Sequence, residues 1–385
     1  MMKQINPQKQ PHKQRTVILI ILVILTAFAI VMIGFLKNTV LVSYPVLKGL
    51  PEVGKWYSIV PEGTKSSDGS EWHGLLRLGT ENKVVVYFFG GGASITGETS
   101  ERGTEFFATT VQAPDFVASG GIGSDQEGNP FKDWTFLVVP YASGDFHSGT
   151  GEYHYADEAG IDRVVYHNGY NNYSSFVEAA KLYIGEPDTL LVTGFSAGGF
   201  AAALLADDVM DRLPSARNVT VCVDSSLLLY DGWYQTATEL WHSPSVISER
   251  LKTDNLVLDS LTALYEKRGN GVKILFDCSI RDDTLQQYQA YIRTGTMSKS
   301  RENGDLFQSD LTKMVDDLQK QIPGVGIFIW EYGMDESTHN TQHTIISSNV
   351  FDQLDSGKSV ANWINGAVMG EVKSYGLNLL TKQYD

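Results

Sequence analysis

Short runs of apolar residues alternate with polar, glycine-rich segments along most of the chain after residue 55. These runs are rich in Val, Ile, Leu and Phe, which is typical of buried β-strands. The pattern predicts strands at 56–60, 73–79, 83–89, 133–139, 189–193, 218–223, 272–276 and 326–331. It predicts helices at about 174–183, 200–206, from 285, and 309–321. Strands that alternate with helices indicate an α/β fold with a mainly parallel central sheet flanked by helices.

The amino-terminal segment has a different pattern. Residues 16–36 form a run of 21 residues without a charge, which is long enough to span a bilayer as a helix. Four basic residues precede the run and one follows it, so the positive-inside rule places the amino terminus in the cytoplasm. The run is longer than a signal-peptide core and no Ala-x-Ala site follows it. We therefore predict a single-pass anchor in the cell membrane, with the bilayer as a partner and the rest of the chain outside.

The net charge limits the class of binding partner, and the cysteine content limits the number of disulfides. The formal net charge is −15, and the first 37 residues carry five basic and no acidic side chains, so the remainder carries −20. Such acidity argues against a nucleic-acid partner. The two cysteines, Cys222 and Cys278, lie in or directly after predicted strands. Buried free thiols are the favoured interpretation, and one disulfide between them is the alternative.

The strongest chemical signal is the sequence Gly-Phe-Ser-Ala-Gly-Gly at 194–199. A predicted strand precedes it and a run of strong helix formers follows it, so Ser196 lies at a strand-turn-helix apex. This context is typical of a nucleophile elbow, in which a sharp turn exposes the serine hydroxyl. The amide of Ala197, at the start of the helix, is predicted to face a developing oxyanion.

Further candidate catalytic residues follow other predicted strands. Ser196, Asp283 and His343 occur in the chain order nucleophile, acid, base that α/β-hydrolases share. In this hypothesis His343 takes the serine proton and Asp283 orients the imidazole. Gly91 and Gly92, directly after the strand at 83–89, are predicted to complete the oxyanion hole together with the amide of Ala197.

Alternatives remain open within these roles. Asp282 could replace Asp283, and His339 could replace His343. No spacing of His, Cys, Asp or Glu is typical of a metal site, and no nucleotide-binding fingerprint is present, so we expect no metal and no cofactor. No protein partner can be inferred.

Several motifs resemble the pectin acetylesterase and Notum family of serine carboxylesterases. They are Phe-Gly-Gly-Gly-Ala at 89–93, the elbow at 194–199, and Val-Asp-Ser-Ser at 223–226 followed by Asp231. The family's Asp followed by Ser/Thr-x-Gln matches 283–286 and favours Asp283, and its histidine loop matches 343–345. The chain departs from the plant and animal members at Ala93, where they usually have an aromatic residue, and in having only two cysteines.

The resemblance implies a serine esterase with an α/β-hydrolase-like fold that removes an O-acyl group, most often acetyl, from a polysaccharide or other glycan. A lipase or thioesterase acting on another acyl ester, and an inactive surface-binding protein of the same fold, are the alternatives. The predicted organisation is a basic cytoplasmic tail (1–15), the anchor (16–36), a tether (37–55) and a catalytic domain (56–385). Within that domain, residues 227–268 are predicted to be an insertion that covers the site.

Overall fold

The structure is a computed structural model that describes residues 44–111, 120–353 and 358–384. Its centre is a sheet of eight strands in the order β1-β2-β4-β3-β7-β8-β9-β10, and β5 and β6 form a separate hairpin. The strands are β1 (Trp56–Ile59), β2 (Gly74–Arg77), β3 (Lys83–Phe88), β4 (Thr135–Val139), β5 (Gly151–Ala156), β6 (Asp162–His167), β7 (Thr189–Phe195), β8 (Asn218–Asp224), β9 (Val272–Ser279) and β10 (Gly326–Trp330). All eight predicted strands are therefore confirmed.

The strand directions explain where a site can form. In the central sheet, β1 and β2 run antiparallel to their neighbours. The other adjacent strands, in the spatial order β4-β3-β7-β8-β9-β10, are all parallel. In a parallel sheet the carboxyl ends of adjacent strands meet at one edge, and ligands bind there. The segments that follow β3, β7, β8 and β9 are thus brought together. This sheet confirms the predicted α/β-hydrolase-like architecture.

Helices and loops cover both faces of the sheet. The longer helices are α1 (Gly97–Arg102), α2 (Gly169–Ile184), α3 (Ala197–Arg212), α4 (Leu256–Arg268), α5 (Leu285–Thr294), α6 (Arg301–Gln321) and α7 (Val360–Val368). Shorter helical turns occupy Gly103–Glu105, Gly121–Gly123, Trp233–Gln235, Thr236–Leu240, Ser245–Ser248, Gly269–Gly271 and Leu377–Thr381.

Successive residues of one strand enter different cores. In β3, Val84 and Val86 join the core under α2, α3, α4 and α6, while Val85 and Tyr87 join the core that α7 covers. This alternation follows from the two-residue repeat of a β-strand. Both faces of the strand are buried, which is why its sequence is continuously apolar.

Helix α3 lies close against the sheet because its inner residues are small. Ala201, Ala202 and Ala206 have no exposed surface. The close approach brings the first turn of α3 to the carboxyl ends of β3 and β8.

The amino-terminal end of the described chain extends one edge of the sheet. Residues 45–47 pair with β1: Pro45 O accepts from Ser58 N (3.0 Å) and Leu47 N donates to Ser58 O (2.9 Å), so this part of the predicted tether adds to the sheet edge. The predicted anchor, 16–36, lies outside the described residues. Within the residues that are described, no helix is both long and apolar enough to cross a bilayer.

Cys222 and Cys278 are buried free thiols, which confirms the interpretation that they do not form a disulfide.

Candidate active site

Ser196 joins β7 to α3 in a strained turn. Its backbone has φ 54° and ψ −126°, a combination that residues with a side chain rarely adopt. Strain of this kind costs about 1–3 kcal/mol and persists only where the surroundings enforce it. Here Ser196 N donates to Asp224 O (3.0 Å), and Ser196 O accepts from Gly199 N (2.8 Å) and Phe200 N (3.1 Å). The predicted strand-turn-helix context of Ser196 is confirmed.

The glycines of the elbow are required by close backbone packing. A Cβ atom on Gly194 would collide with the carbonyl of Gly198, and one on Gly198 would collide with the carbonyl of Phe88. A Cβ on Gly199 would lie 2.6 Å from Asp224 O. The spacing Gly-x-Ser-x-Gly-Gly therefore lets helix α3 begin in direct contact with β3 and β8.

His343 is held by Asp282. Its Nδ1 lies 2.7 Å from Asp282 Oδ2, and because a carboxylate only accepts, Nδ1 carries the proton. Asp282 follows β9 and is fully buried. Its other oxygen accepts from the amides of Thr284 (3.0 Å) and Leu285 (2.8 Å) at the start of α5. The carboxylate is thus fixed by the backbone and in turn orients the imidazole.

The prediction that Asp283 orients His343 is wrong. Asp283 Oδ2 pairs instead with Lys299 Nζ (2.9 Å) at the protein surface. The reason is a parallel bridge between Asp282 and Thr341, which makes the chain extended at this point. Consecutive side chains of an extended segment point to opposite sides, so only one of the two aspartates can face His343.

The structure also separates the two candidate histidines. His343 lines the same cavity as Ser196. His339 lies elsewhere: its carbonyl accepts from Arg281 Nε (2.9 Å), and its ring lies 6.2 Å from that of Tyr384. Only His343 is therefore placed to act on Ser196.

The second nitrogen of His343 is unused. Nε2 is buried and has no hydrogen-bond partner among the described residues, Ser196 Oγ included. Catalytic hydrogen bonds are often long in a free enzyme and tighten when substrate binds. Burial lowers the pKa of His343, but the nearby carboxylates of Asp282, Asp224 and Asp283 outweigh it and raise the pKa above its usual value of 6.5.

Three backbone amides at the cavity have no internal acceptor. Gly91, Gly92 and Ala197 line it, and none of their N–H groups donates to another described residue. Gly91 O accepts from Ala108 N (2.8 Å), so the Gly92 N–H, across the same trans peptide, points the opposite way. Gly92 has φ 82°, which favours glycine. These donors suit a negatively charged oxygen.

The cavity itself has a volume of about 280 Å³ and mostly apolar walls. Its large side chains are Phe146, Phe195, Phe200, Leu228, Leu285 and Tyr288. Phe146 stacks on Phe200 with ring centroids 4.2 Å apart, and Tyr288 donates its hydroxyl proton to Phe106 O. Of the segment 227–268, only Leu228 lines the cavity. Apolar walls around a few polar groups are typical of a ligand site.

Sequence reasoning missed several of these wall residues. Leu285 and Tyr288 lie three residues apart on α5 and so share one helix face, a signal that could have placed them together. Phe146 lies in a loop at φ 49°, and nothing in the sequence pattern indicates its position. In the described part of the chain, no group of three or more His, Cys, Asp or Glu side chains is arranged to hold a metal ion.

Comparison with known proteins agrees with the motifs. The family model described as pectinacetylesterase matches residues 62–240, which include the glycine loop and Ser196. No curated protein sequence matches the chain. Among solved structures, the Wnt deacylase Notum from Drosophila is similar, with a TM-score of 0.61 and 17% identity. The similarity covers 83% of this chain and 95% of the Notum chain, and at this identity it shows a shared fold.

The family match covers the segment that positions Ser196. The family match agrees with the resemblance to the pectin acetylesterase and Notum family, and the structural similarity shows the shared fold.

Proposed function

We propose that this chain is a serine carboxylic-ester hydrolase in which Ser196 is the nucleophile, His343 the general base and Asp282 the carboxylate that orients the base. One observation carries the proposal. The cavity holds a serine on a strained elbow together with a buried, unpaired histidine nitrogen, and the other nitrogen of that histidine bonds a carboxylate. Perturbed polar groups that meet in an apolar cavity are typical of catalytic sites.

The chemistry follows from these positions. Ser196 Oγ attacks the acyl carbonyl while Nε2 of His343 takes its proton. The amides of Gly91, Gly92 and Ala197 stabilise the oxyanion, and the intermediate collapses as the imidazolium protonates the departing alcohol. Water then attacks the acyl-enzyme with His343 again as base, which releases the acid and restores the serine.

The proposed substrate is an O-acylated glycan, and the proposed acyl group is acetyl. The family match supports this choice, because pectin acetylesterases act on acetyl esters of a polysaccharide. A second candidate is an ester of a longer acyl chain. A cavity of about 280 Å³ is far larger than a methyl group needs, and its aromatic walls suit a hydrocarbon chain. The Drosophila structure with the same fold is itself described as that of a deacylase.

Labelling with a fluorophosphonate probe tests the reaction class, because only an activated serine reacts. We expect the wild-type protein to be labelled and the folded Ser196→Ala variant to be unlabelled, with turnover reduced by a factor on the order of 10⁴ or more. His343→Ala should lose a similar amount, while His339→Ala is the matched control and should retain activity. Labelling that persists in Ser196→Ala would contradict the proposal.

Two substrate panels separate the candidate acyl groups. Release of acetate from acetylated glycans, compared with unacetylated ones, tests the first candidate. Hydrolysis of p-nitrophenyl esters from acetyl to decanoyl tests the second. A kcat/KM that falls with every added methylene supports acetyl, whereas a maximum at a medium chain length supports the longer acyl ester.

We also propose that residues 16–36 anchor the enzyme in the cell membrane, with residues 1–15 in the cytoplasm and the catalytic domain outside. The support is the uncharged run and its flanking charges. An extracellular site would suit a glycan substrate.

A further inference from the structure

A buried aspartate at the end of β8 grips the loop that carries His343. Asp224 is fully buried, and its Oδ2 accepts from the amides of Ile345 (2.9 Å) and Ile346 (2.8 Å). These amides lie two and three residues after His343. A carboxylate that accepts two backbone amides fixes the path of that backbone strongly.

The backbone of the loop that carries His343 is strained next to this histidine. Thr344, between His343 and Ile345, has φ 61°, which residues with a side chain rarely adopt. The side chains of Ile345 and Ile346 have no exposed surface and lie in the core that α7 covers. Strain of this kind persists only where other interactions enforce it, and the Asp224 carboxylate supplies two of them.

The same residue also contacts the nucleophile. The backbone carbonyl of Asp224 accepts from Ser196 N (3.0 Å) at the elbow. One residue thus bonds the nucleophile through its main chain and the histidine loop through its side chain. The Val-Asp-Ser-Ser motif at 223–226 contributes no residue to the triad, but its aspartate connects the nucleophile to the histidine loop.

A second carboxyl group completes the arrangement. Asp277 of β9 is the direct register neighbour of Asp224. Burial, together with the charge of Asp224, raises the pKa of Asp277 well above its usual range. Burial raises the pKa of Asp224 too, but the amides of Ile346 and Ile345 favour its ionised form. Two adjacent buried carboxyl groups disfavour being ionised together, and the two amides favour the charge on Asp224.

We propose that Asp224 is a positioning residue for His343, with its carboxylate holding the backbone of the histidine loop through the amides of Ile345 and Ile346. Oδ1 of Asp224 is buried and accepts no hydrogen bond among the described residues, and the carboxyl of its register neighbour Asp277 can donate to it when protonated. The inference rests on the proposed function, because it assigns Asp224 a role in orienting the base of that reaction.

The variants Asp224→Ala, Asp224→Asn and Asp277→Asn test the proposal in the full-length protein, purified in mild detergent. Asp277→Asn is the control: its amide N–H can replace the proton of Asp277, so kcat is expected within about threefold of wild type. Asp224→Ala removes both loop contacts, and a misplacement near 1 Å costs a factor of about 10² in kcat. Its KM should change little, because Asp224 does not line the cavity. Asp224→Asn keeps one oxygen that can accept from the two amides. Its kcat should therefore be at least tenfold higher than that of Asp224→Ala.

A pH titration separates positioning from general damage. The carboxylates whose charges raise the pKa of His343 are Asp282, which bonds it, Asp283 beside Asp282, and Asp224 on β8. Removing the Asp224 charge should lower the pKa of His343 and move the acid limb of the kcat/KM profile to lower pH. The His343 resonance in NMR spectra of histidine-labelled protein, assigned with His343→Gln, should move likewise and needs no turnover.

The outcomes distinguish this inference from the proposed function. If the wild-type protein shows no turnover and no fluorophosphonate labelling, the proposed function fails, and the NMR titration still tests whether Asp224 acts on His343. If wild type is active and Asp224→Ala keeps kcat within threefold, the positioning role is refuted. If Asp224→Ala does not fold, Asp224→Asn decides, and an unmoved His343 titration in that variant overturns the proposal.

Discussion

Exchanging each of two neighbouring aspartates for asparagine gives the sharpest test of the candidate site. Asp282→Asn and Asp283→Asn change the same chemical group at adjacent positions. Asp282 bonds His343 Nδ1 at 2.7 Å and is fully buried, whereas Asp283 pairs with Lys299 at the surface. The two variants therefore differ in one respect that matters for catalysis, which is contact with the imidazole.

The expected magnitudes follow from this geometry. Without the Asp282 carboxylate, the tautomer with the proton on Nδ1 is no longer favoured and the imidazolium loses its partner. A loss of about 10⁴ in kcat is expected, which equals about 5.4 kcal/mol at 1.36 kcal/mol per tenfold change. The exposed pair of Asp283 and Lys299 contributes about 0.2–1 kcal/mol, so Asp283→Asn should lose less than about fivefold.

Steady-state hydrolysis of a short acyl ester measures both variants, with thermal unfolding as the control for folding. Asp282→Asn keeps the oxygen that accepts from Thr284 N and Leu285 N, so the start of α5 should remain capped. If Asp283→Asn lost its activity while a folded Asp282→Asn remained active, the reasoning would be refuted. Asp283 would then be the residue that orients His343, as the sequence predicts.

Three further predictions concern other parts of the molecule. Since His343 must be neutral to accept a proton and its pKa is raised, kcat/KM should fall as pH drops through a value above 6.5; a midpoint below 6 in the pH–rate profile would contradict this. Gly92→Ala should cost about 10² in kcat, because a Cβ would collide with Phe106 O and displace an oxyanion donor; activity within threefold of wild type would exclude that role. The anchor predicts that the full chain sediments with membranes and that deletion of residues 1–37 releases it, whereas a wild-type protein found free in the medium would indicate a cleaved signal.

Much of the fold could be predicted because its signals are local. Strands buried on both faces have nearly continuous apolar sequences, and this signal predicts six of the strands in the central sheet: β3, β4, β7, β8, β9 and β10. The hairpin of β5 and β6 was missed because it lies at the surface and its inner residues, such as Tyr153 and Tyr155, alternate with polar ones over a short span. Helix α7 was also missed, although Val360, Trp363, Ile364 and Ala367 follow the spacing of an amphipathic helix.

The residues of the candidate site differ in the same way, because some have a local sequence signal and others depend on contacts between distant segments. Ser196 and the glycines around it could be identified because an elbow is encoded within six consecutive residues. The choice between Asp282 and Asp283 could not, because it depends on a bridge between Asp282 and Thr341, which belong to different segments of the chain. Matching 283–286 to the family's Asp motif placed the acid one residue too late, and one residue is enough to turn a side chain to the other side of an extended segment.

The arrangement at the end of β8 explains how a rigid site is built from distant segments. The nucleophile belongs to the turn after β7 and the base to a loop after β10, and no hydrogen bond joins their side chains in the structure. Their relative position must therefore be set through the backbone, and Asp224 provides a direct link, since its carbonyl accepts from Ser196 N and its carboxylate from the two amides after Thr344. Because the elbow and the histidine loop bond the same residue, Asp224 fixes both of them at the end of β8, and this sets the distance on which proton transfer depends.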